Sequence, residues 1–133
     1  MQKQVFIAMV SAMMILVTPY TQAGRRSTPI YTPQPIMVSG HQNRASVKKV
    51  IKKALYRRKW IVRNVSPGFI RATYSRGRHV AVVNVRYTPR KISIAYHKTE
   101  SLNFNREKGT IHRTYNTWIQ NMERDIRVEL GAL

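Results

Sequence analysis

Residues 69–87 read FIRATYSRGRHVAVVNVRY, and their apolar side chains recur with the two-residue period of a β-strand. The alternation is clear over residues 70–74 and returns after a break. Gly77, set between two arginines at this break, is typical of a tight hairpin turn. The stretch therefore predicts two antiparallel strands, Phe69–Ser75 and His79–Tyr87, that share one apolar face.

Two further β-rich runs flank this hairpin. Trp60–Val65 precedes it and ends in the turn Ser66-Pro67-Gly68, while Ile92–Tyr96 follows it after the turn Thr88-Pro89-Arg90. Turns this short favour antiparallel pairing, because neighbouring parallel strands need a long crossover connection. The four strands are therefore predicted to form an antiparallel meander.

The apolar period becomes that of an α-helix on either side of the strands. The first predicted helix covers residues 46–58, with Ser46 as its N-cap and apolar residues spaced three and four apart from Val47 onward. The second is predicted to be capped by Thr110, to carry a broad apolar stripe, and to end at Gly131. Both helices thus have one apolar side to bury.

The predicted order of elements is α-β-β-β-β-α. Residues 97–110, between the last strand and the second helix, are polar and predicted to form a loop. A sheet with one apolar face and two amphipathic helices bury their apolar surfaces by packing against each other. The predicted fold class is α+β: a two-layer sandwich in which both helices cover one face of a four-stranded antiparallel meander.

The first 23 residues have the order of a secretory signal peptide. Lys3 gives a positive start, Val5–Val17 is an uncharged run of 13 residues, and the small Ala23 follows the helix-breaking Pro19. A retained membrane anchor is the alternative, although such a run falls short of the roughly 20 residues that a spanning helix needs. The sequence predicts cleavage near Ala23 and a periplasmic or secreted protein.

The segment after the predicted cleavage site looks unlike the rest of the chain. Residues 24–44 contain three prolines and two glycines without an apolar period. This composition is typical of a flexible linker. We therefore expect a disordered Pro-rich linker over 24–44 and a single domain over 45–133 that folds without it.

The protein is strongly basic. Its 24 Lys and Arg residues against 5 Asp and Glu give a formal net charge of +19, and it has no cysteine for a disulfide. Such a charge attracts polyanions, so anionic envelope components, lipids or a protein partner are the expected contacts. Nucleic acid is possible but less favoured in an exported protein. Alternatively, the charge is only a solvated surface. The oligomeric state stays open.

Several motifs together resemble an uncharacterised family of small exported proteins and lipoproteins of Gram-negative bacteria. The residues that carry this resemblance are Trp60, Gly68-Phe69-Ile70-Arg71-Ala72, Arg78-His79-Val80-Ala81-Val82-Val83-Asn84-Val85-Arg86-Tyr87, Ile92-Ser93-Ile94-Ala95-Tyr96, Ser101-Leu102-Asn103-Phe104 and Ile111-His112-Arg113-Thr114-Tyr115-Asn116-Thr117-Trp118-Ile119. The resemblance covers about residues 46–130. It implies an exported location and a shared fold but supplies no catalytic residues. This chain lacks the lipidation cysteine of the lipoprotein members.

No residue pattern assigns catalysis, a metal or a cofactor, so a non-enzymatic protein is expected. The four histidines are scattered, and HExxH, CxxC and GxSxG patterns do not occur. The enzyme alternative is a small secreted ribonuclease in which His79, His97, Glu100 and Arg86 supply acid, base and phosphate contacts. A third alternative is an accessory subunit of an envelope or secretion assembly.

Two sets of cations are candidates for anion binding. The first lies on the first helix, away from its apolar stripe: Lys48, Lys49, Lys52 and Lys53. The second follows from strand parity, which places Arg71, Arg86 and His97 on the sheet face away from the helices, together with Ser93. Asn116 is expected to make a structural hydrogen bond, and Trp60 and Trp118 are expected to anchor the core.

Overall fold

The structure, a computed structural model, describes residues 26–133, so the predicted signal segment lies outside the described residues. The elements follow one another as β1 (Ser27–Pro29), β2 (Ile36–Met37), α1 (Arg44–Arg57), β3 (Ile61–Ser66), β4 (Phe69–Arg76), β5 (His79–Tyr87), β6 (Lys91–Glu100), β7 (Thr110–His112) and α2 (Arg113–Leu130). The predicted α+β class, with the meander β3–β6 between two helices, is confirmed.

The main sheet is antiparallel, with the strand order β2-β6-β5-β4-β3. Ala72 lies opposite Val83, and Val85 lies opposite Ile94, so their side chains share one face. A register shift in β6 makes His97 an extra residue, because Val83 pairs with Tyr96 and Val82 with Lys98. This bulge lies on the face that the sequence marks as polar.

Both helices bury their apolar sides against the sheet and each other in one core. Its fully buried large side chains include Ile51, Leu55, Ile70, Ile92, Tyr115 and Ile119. Alternation along each strand sends one set of side chains into this core and leaves the other on an open face. In the described part of the chain, neither helix is long and apolar enough to cross a membrane.

The helix ends differ from the sequence prediction by a few residues. Asn43, not Ser46, caps α1, because its side chain accepts hydrogen bonds from the Ser46 backbone N–H and hydroxyl at 2.8 and 3.0 Å. His112 caps α2 through Nδ1, which accepts from the Thr114 N–H at 3.1 Å, while Thr110 lies in β7. Gly131 is at the predicted C-cap, but with a right-handed φ of −66°.

The prediction of a disordered linker is wrong over residues 26–43, which we call the arm. Its strand β2 pairs with β6 and adds an edge to the predicted meander, while β1 pairs with β7 in a separate two-stranded sheet. Ile36 enters the core with 1% exposure, and the Tyr31 hydroxyl donates to Glu123 at 2.7 Å. Isolated apolar residues and backbone pairing with distant strands hold the arm in place. Its ordered structure therefore cannot be predicted from an apolar period within the arm itself.

Candidate anion-binding surfaces

The open face of the main sheet gathers polar and basic side chains from three adjacent strands. Phe69 of β4 lies opposite Arg86 of β5, and Arg86 lies opposite Ser93 of β6. Arg71, two residues further along β4, lies opposite Asn84 of β5. These positions alternate with buried core residues, so their side chains project away from the helices. We call this surface the sheet face.

Phe69 and Asn84 hold the two arginines of the sheet face. The Arg86 guanidinium lies 4.0 Å from the centre of the Phe69 ring, and that of Arg71 lies 5.5 Å from it. Arg71 Nε also donates to Asn84 Oδ1 at 3.1 Å. A guanidinium that lies over an aromatic ring, as that of Arg86 does, keeps its N–H groups free at the edge, in a planar array that suits phosphate or carboxylate oxygens.

His97 adds a neutral group to the sheet face rather than a further cation. Partial loss of solvent around its ring lowers its pKa below the ordinary 6.5, and the positive charges of Arg71 and Lys98 lower it further. At neutral pH the imidazole is therefore uncharged. It can donate or accept a hydrogen bond beside Arg71, and a bound anion would favour its protonation.

The four lysines predicted on α1 form a separate surface. They line a shallow groove of about 520 Å³ with Ala45 and Tyr56, on the outer side of the helix layer. Lys52 lies 6.0 Å from the centre of the Tyr56 ring, and Lys53 lies 3.3 Å from Glu129. We call Lys48, Lys49, Lys52 and Lys53 the helix face. The predicted anion-binding residues thus fall on opposite sides of the sandwich.

Acidic residues neutralise few of these cations. All five occur from Glu100 onward, and three of them lie in α2. Across residues 26–133 the ion pairs join Lys53 and Arg57 to Glu129, Arg58 to Asp125, and Arg127 to Glu123. Arg71 and Arg86 take part in none of them. The sheet face therefore keeps its positive charge.

The residues of the ribonuclease alternative do not converge. His79 projects to the helix side, where its Nδ1 lies 2.7 Å from the Ser101 carbonyl oxygen and its ring stacks on His112. Glu100 pairs with Val80, so it is about 20 Å along β5 from Arg86 at 3.3 Å per residue. Among the described residues, no three His, Asp or Glu side chains group as metal ligands.

Asn116 and the tryptophans take the structural roles predicted for them, but the tryptophans also line a cleft. Asn116 bonds to the arm, and both tryptophans belong to the core.

The cleft measures about 440 Å³ and is lined by residues of α1, β4, α2 and the α1–β3 turn: Arg57, Arg58, Lys59, Trp60, Tyr74, Arg76, Thr117, Trp118 and Asn121. In the sequence, only the run Arg57-Arg58-Lys59-Trp60 brings cations and an aromatic residue of this cleft together. The other lining residues come from distant segments of the chain.

Comparison with known proteins adds no assignment to these surfaces. No family model, curated protein or solved structure matches the chain.

Proposed function

We propose that this protein is an exported, non-enzymatic, envelope-associated protein that binds anionic polymers or lipid headgroups by electrostatic contact. In this proposal the mature chain begins after Ala23 and works in the periplasm or outside the cell. The observation that carries the binding function is the sheet face, where Arg71 and Arg86 are arranged around Phe69 and neither pairs with a carboxylate among residues 26–133.

The chemistry of the sheet face favours phosphate-rich polyanions. Two guanidinium groups on neighbouring strands can each bind a phosphate through paired N–H donors. Asn84 and the neutral His97 add hydrogen-bonding groups next to them. Each phosphate contact releases counterions from the polymer, so the affinity should fall steeply as salt rises.

The test compares two charge-matched double variants of the mature chain, residues 24–133. Arg71→Gln with Arg86→Gln removes the sheet-face cations, while Arg78→Gln with Arg106→Gln removes two exposed cations elsewhere. Binding to polyphosphate, and to vesicles containing phosphatidylglycerol, is measured between 25 and 200 mM salt. We expect the sheet-face variant to lower the slope of log affinity against log salt by about 2. Equal loss in both variants would show that only net charge matters.

The location and the accessory-subunit alternative need separate measurements. N-terminal sequencing of protein from the periplasmic fraction should begin at Gly24, whereas an intact Met1 in the membrane fraction would contradict export with cleavage. Stable co-purification with an envelope protein at 0.5 M salt would favour an assembly subunit over electrostatic binding, because exposed charges are strongly screened there.

A further inference from the structure

The cleft at the C-terminal end of α1 combines an aromatic floor with a basic rim. Trp60 and Trp118 are only 4% and 8% exposed, and Tyr74 lies between them. Arg57, Arg58, Lys59 and Arg76 supply the rim, and Thr117 and Asn121 supply polar side chains. This site is separate from the sheet face and the helix face.

The aromatic floor suits a sugar ring better than a nucleobase. The Tyr74 ring centre lies 5.3 Å from that of Trp60, at 38°, and 4.8 Å from that of Trp118, at 82°. These rings contact one another, so a flat base has no slot between them. The C–H face of a sugar can instead pack over the floor.

The rim carries two cations beyond those already neutralised. Arg57 and Arg58 are paired with Glu129 and Asp125, whereas Lys59 and Arg76 take part in no ion pair across residues 26–133. A phosphate monoester carries a charge of about −1.5 to −2 near pH 7, while a sugar carboxylate carries −1. Two free cations therefore match a phosphate monoester more closely.

Lys59 occupies a backbone position that normally favours glycine. Its φ is +65°, and its N–H bonds to the Tyr56 carbonyl as the turn leaves α1. A side chain in this left-handed region costs conformational energy that glycine would avoid. Strain of this kind concentrates at binding sites, and here it places an ammonium group at the rim of the cleft.

We propose that the cleft binds a phosphorylated monosaccharide. Lys59 and Arg76 hold the phosphate, and the sugar ring packs against the floor formed by Trp60, Tyr74 and Trp118. This site goes beyond the proposed function, and its ligand is a single small group rather than an extended polyanion.

Tryptophan fluorescence gives a direct assay, because both tryptophans of the chain line the cleft. The mature protein is titrated with glucose 6-phosphate, glucose, inorganic phosphate, glucuronate, ribose 5-phosphate and AMP. We expect saturable changes with the sugar phosphates, at least tenfold tighter than with glucose, inorganic phosphate or glucuronate. Equal binding of inorganic phosphate would overturn the proposal. So would tighter binding of AMP than of ribose 5-phosphate, which would indicate base recognition.

The variant Lys59→Gly separates binding from folding. It relieves the backbone strain, so the melting temperature should stay the same or rise, while affinity for glucose 6-phosphate should fall at least fivefold. Lys91→Gln removes one positive charge from an exposed position at the start of β6 and should leave that affinity within twofold. Unchanged affinity in Lys59→Gly, or an equal loss in Lys91→Gln, would show that Lys59 does not hold the phosphate.

Discussion

One side-chain amide, that of Asn116 in α2, makes three hydrogen bonds to the arm. Its Nδ2 donates to the Thr28 hydroxyl and the Pro29 carbonyl, both at 2.9 Å, and its Oδ1 accepts from the Tyr31 N–H, also at 2.9 Å. An extended segment outside the main sheet needs such partners for its backbone groups. A polar residue within an apolar helical stripe thus marks where another segment docks.

The variant Asn116→Leu tests this role, because leucine has a similar size but no hydrogen-bonding groups. We expect the free energy of unfolding to fall by about 1–3 kcal/mol, the cost of leaving polar groups unpaired. Urea unfolding measures this loss. Hydrogen exchange at the Tyr31 amide should also become faster than global unfolding alone explains. Amides of β5 should still exchange only through global unfolding. An unchanged Tyr31 amide would show that the arm is held by other contacts.

At the scale of elements, the arm shows where sequence periodicity loses its power. The two helices and the strands β4 and β5 repeat an apolar pattern and are predictable from it, and β3 is predictable from its β-rich composition. β6 extends past the predicted Ile92–Tyr96 to Glu100, into residues predicted to form a loop. β1 has three residues and β2 has two, so neither contains a full pattern. Their partners, β7 and β6, lie far along the chain. Long-range strand pairing and the burial of single side chains such as Ile36 therefore cannot be predicted from sequence periodicity.

Deleting residues 24–42 should destabilise the domain while leaving the Asn43 cap in place. Burial of one isoleucine contributes about 1.5–3 kcal/mol, so with the lost Tyr31 and Asn116 contacts we expect a decrease of more than about 2 kcal/mol. Chemical denaturation compares this deletion with Ile36→Ala in the mature chain. A change below 1 kcal/mol in both would mean that the arm contributes little to folding.

The N-cap of α2 should make folding sensitive to mild acid. His112 must be neutral at Nδ1 to accept the Thr114 N–H, and burial, His79, Arg26 and Arg113 all lower its pKa below 6.5. The unfolded chain therefore binds more protons below pH 6.5, so stability is full above that pH and decreases as the pH falls. His97 acts in the same direction.

We expect the free energy of unfolding, measured in urea, to fall between pH 7.5 and pH 5.0. His112→Ser keeps a capping oxygen without a titrating ring, so this variant should show a weaker pH dependence. His41→Ser, at an exposed position of the arm, is the matched control and should keep the full dependence. The same slope in all three proteins would exclude His112 as the titrating group.

At the scale of the whole molecule, three of the five acidic residues connect one element to another. Asp125 and Glu129 pair α2 with α1, and Glu123 receives the Tyr31 hydroxyl. Strand parity was enough to predict the arginines of the sheet face, because buried and open positions alternate over Phe69–Ala72 of β4 and Val83–Tyr87 of β5. The cleft could not be predicted in this way, since its walls converge only when α1, β4 and α2 pack together.

This distribution leaves a cationic surface on each side of the sandwich, so the mature protein should link two anionic partners. We expect turbidity when it is mixed at low salt with vesicles containing phosphatidylglycerol, and loss of turbidity as salt screens the contacts. Replacing either Arg71 and Arg86 or the four helix-face lysines with Gln should abolish this clustering, while sedimentation still detects binding through the remaining face. Gln supports a helix about as well as Lys, so circular dichroism should stay unchanged. Clustering that persists in both variants would mean that other cations bridge the vesicles.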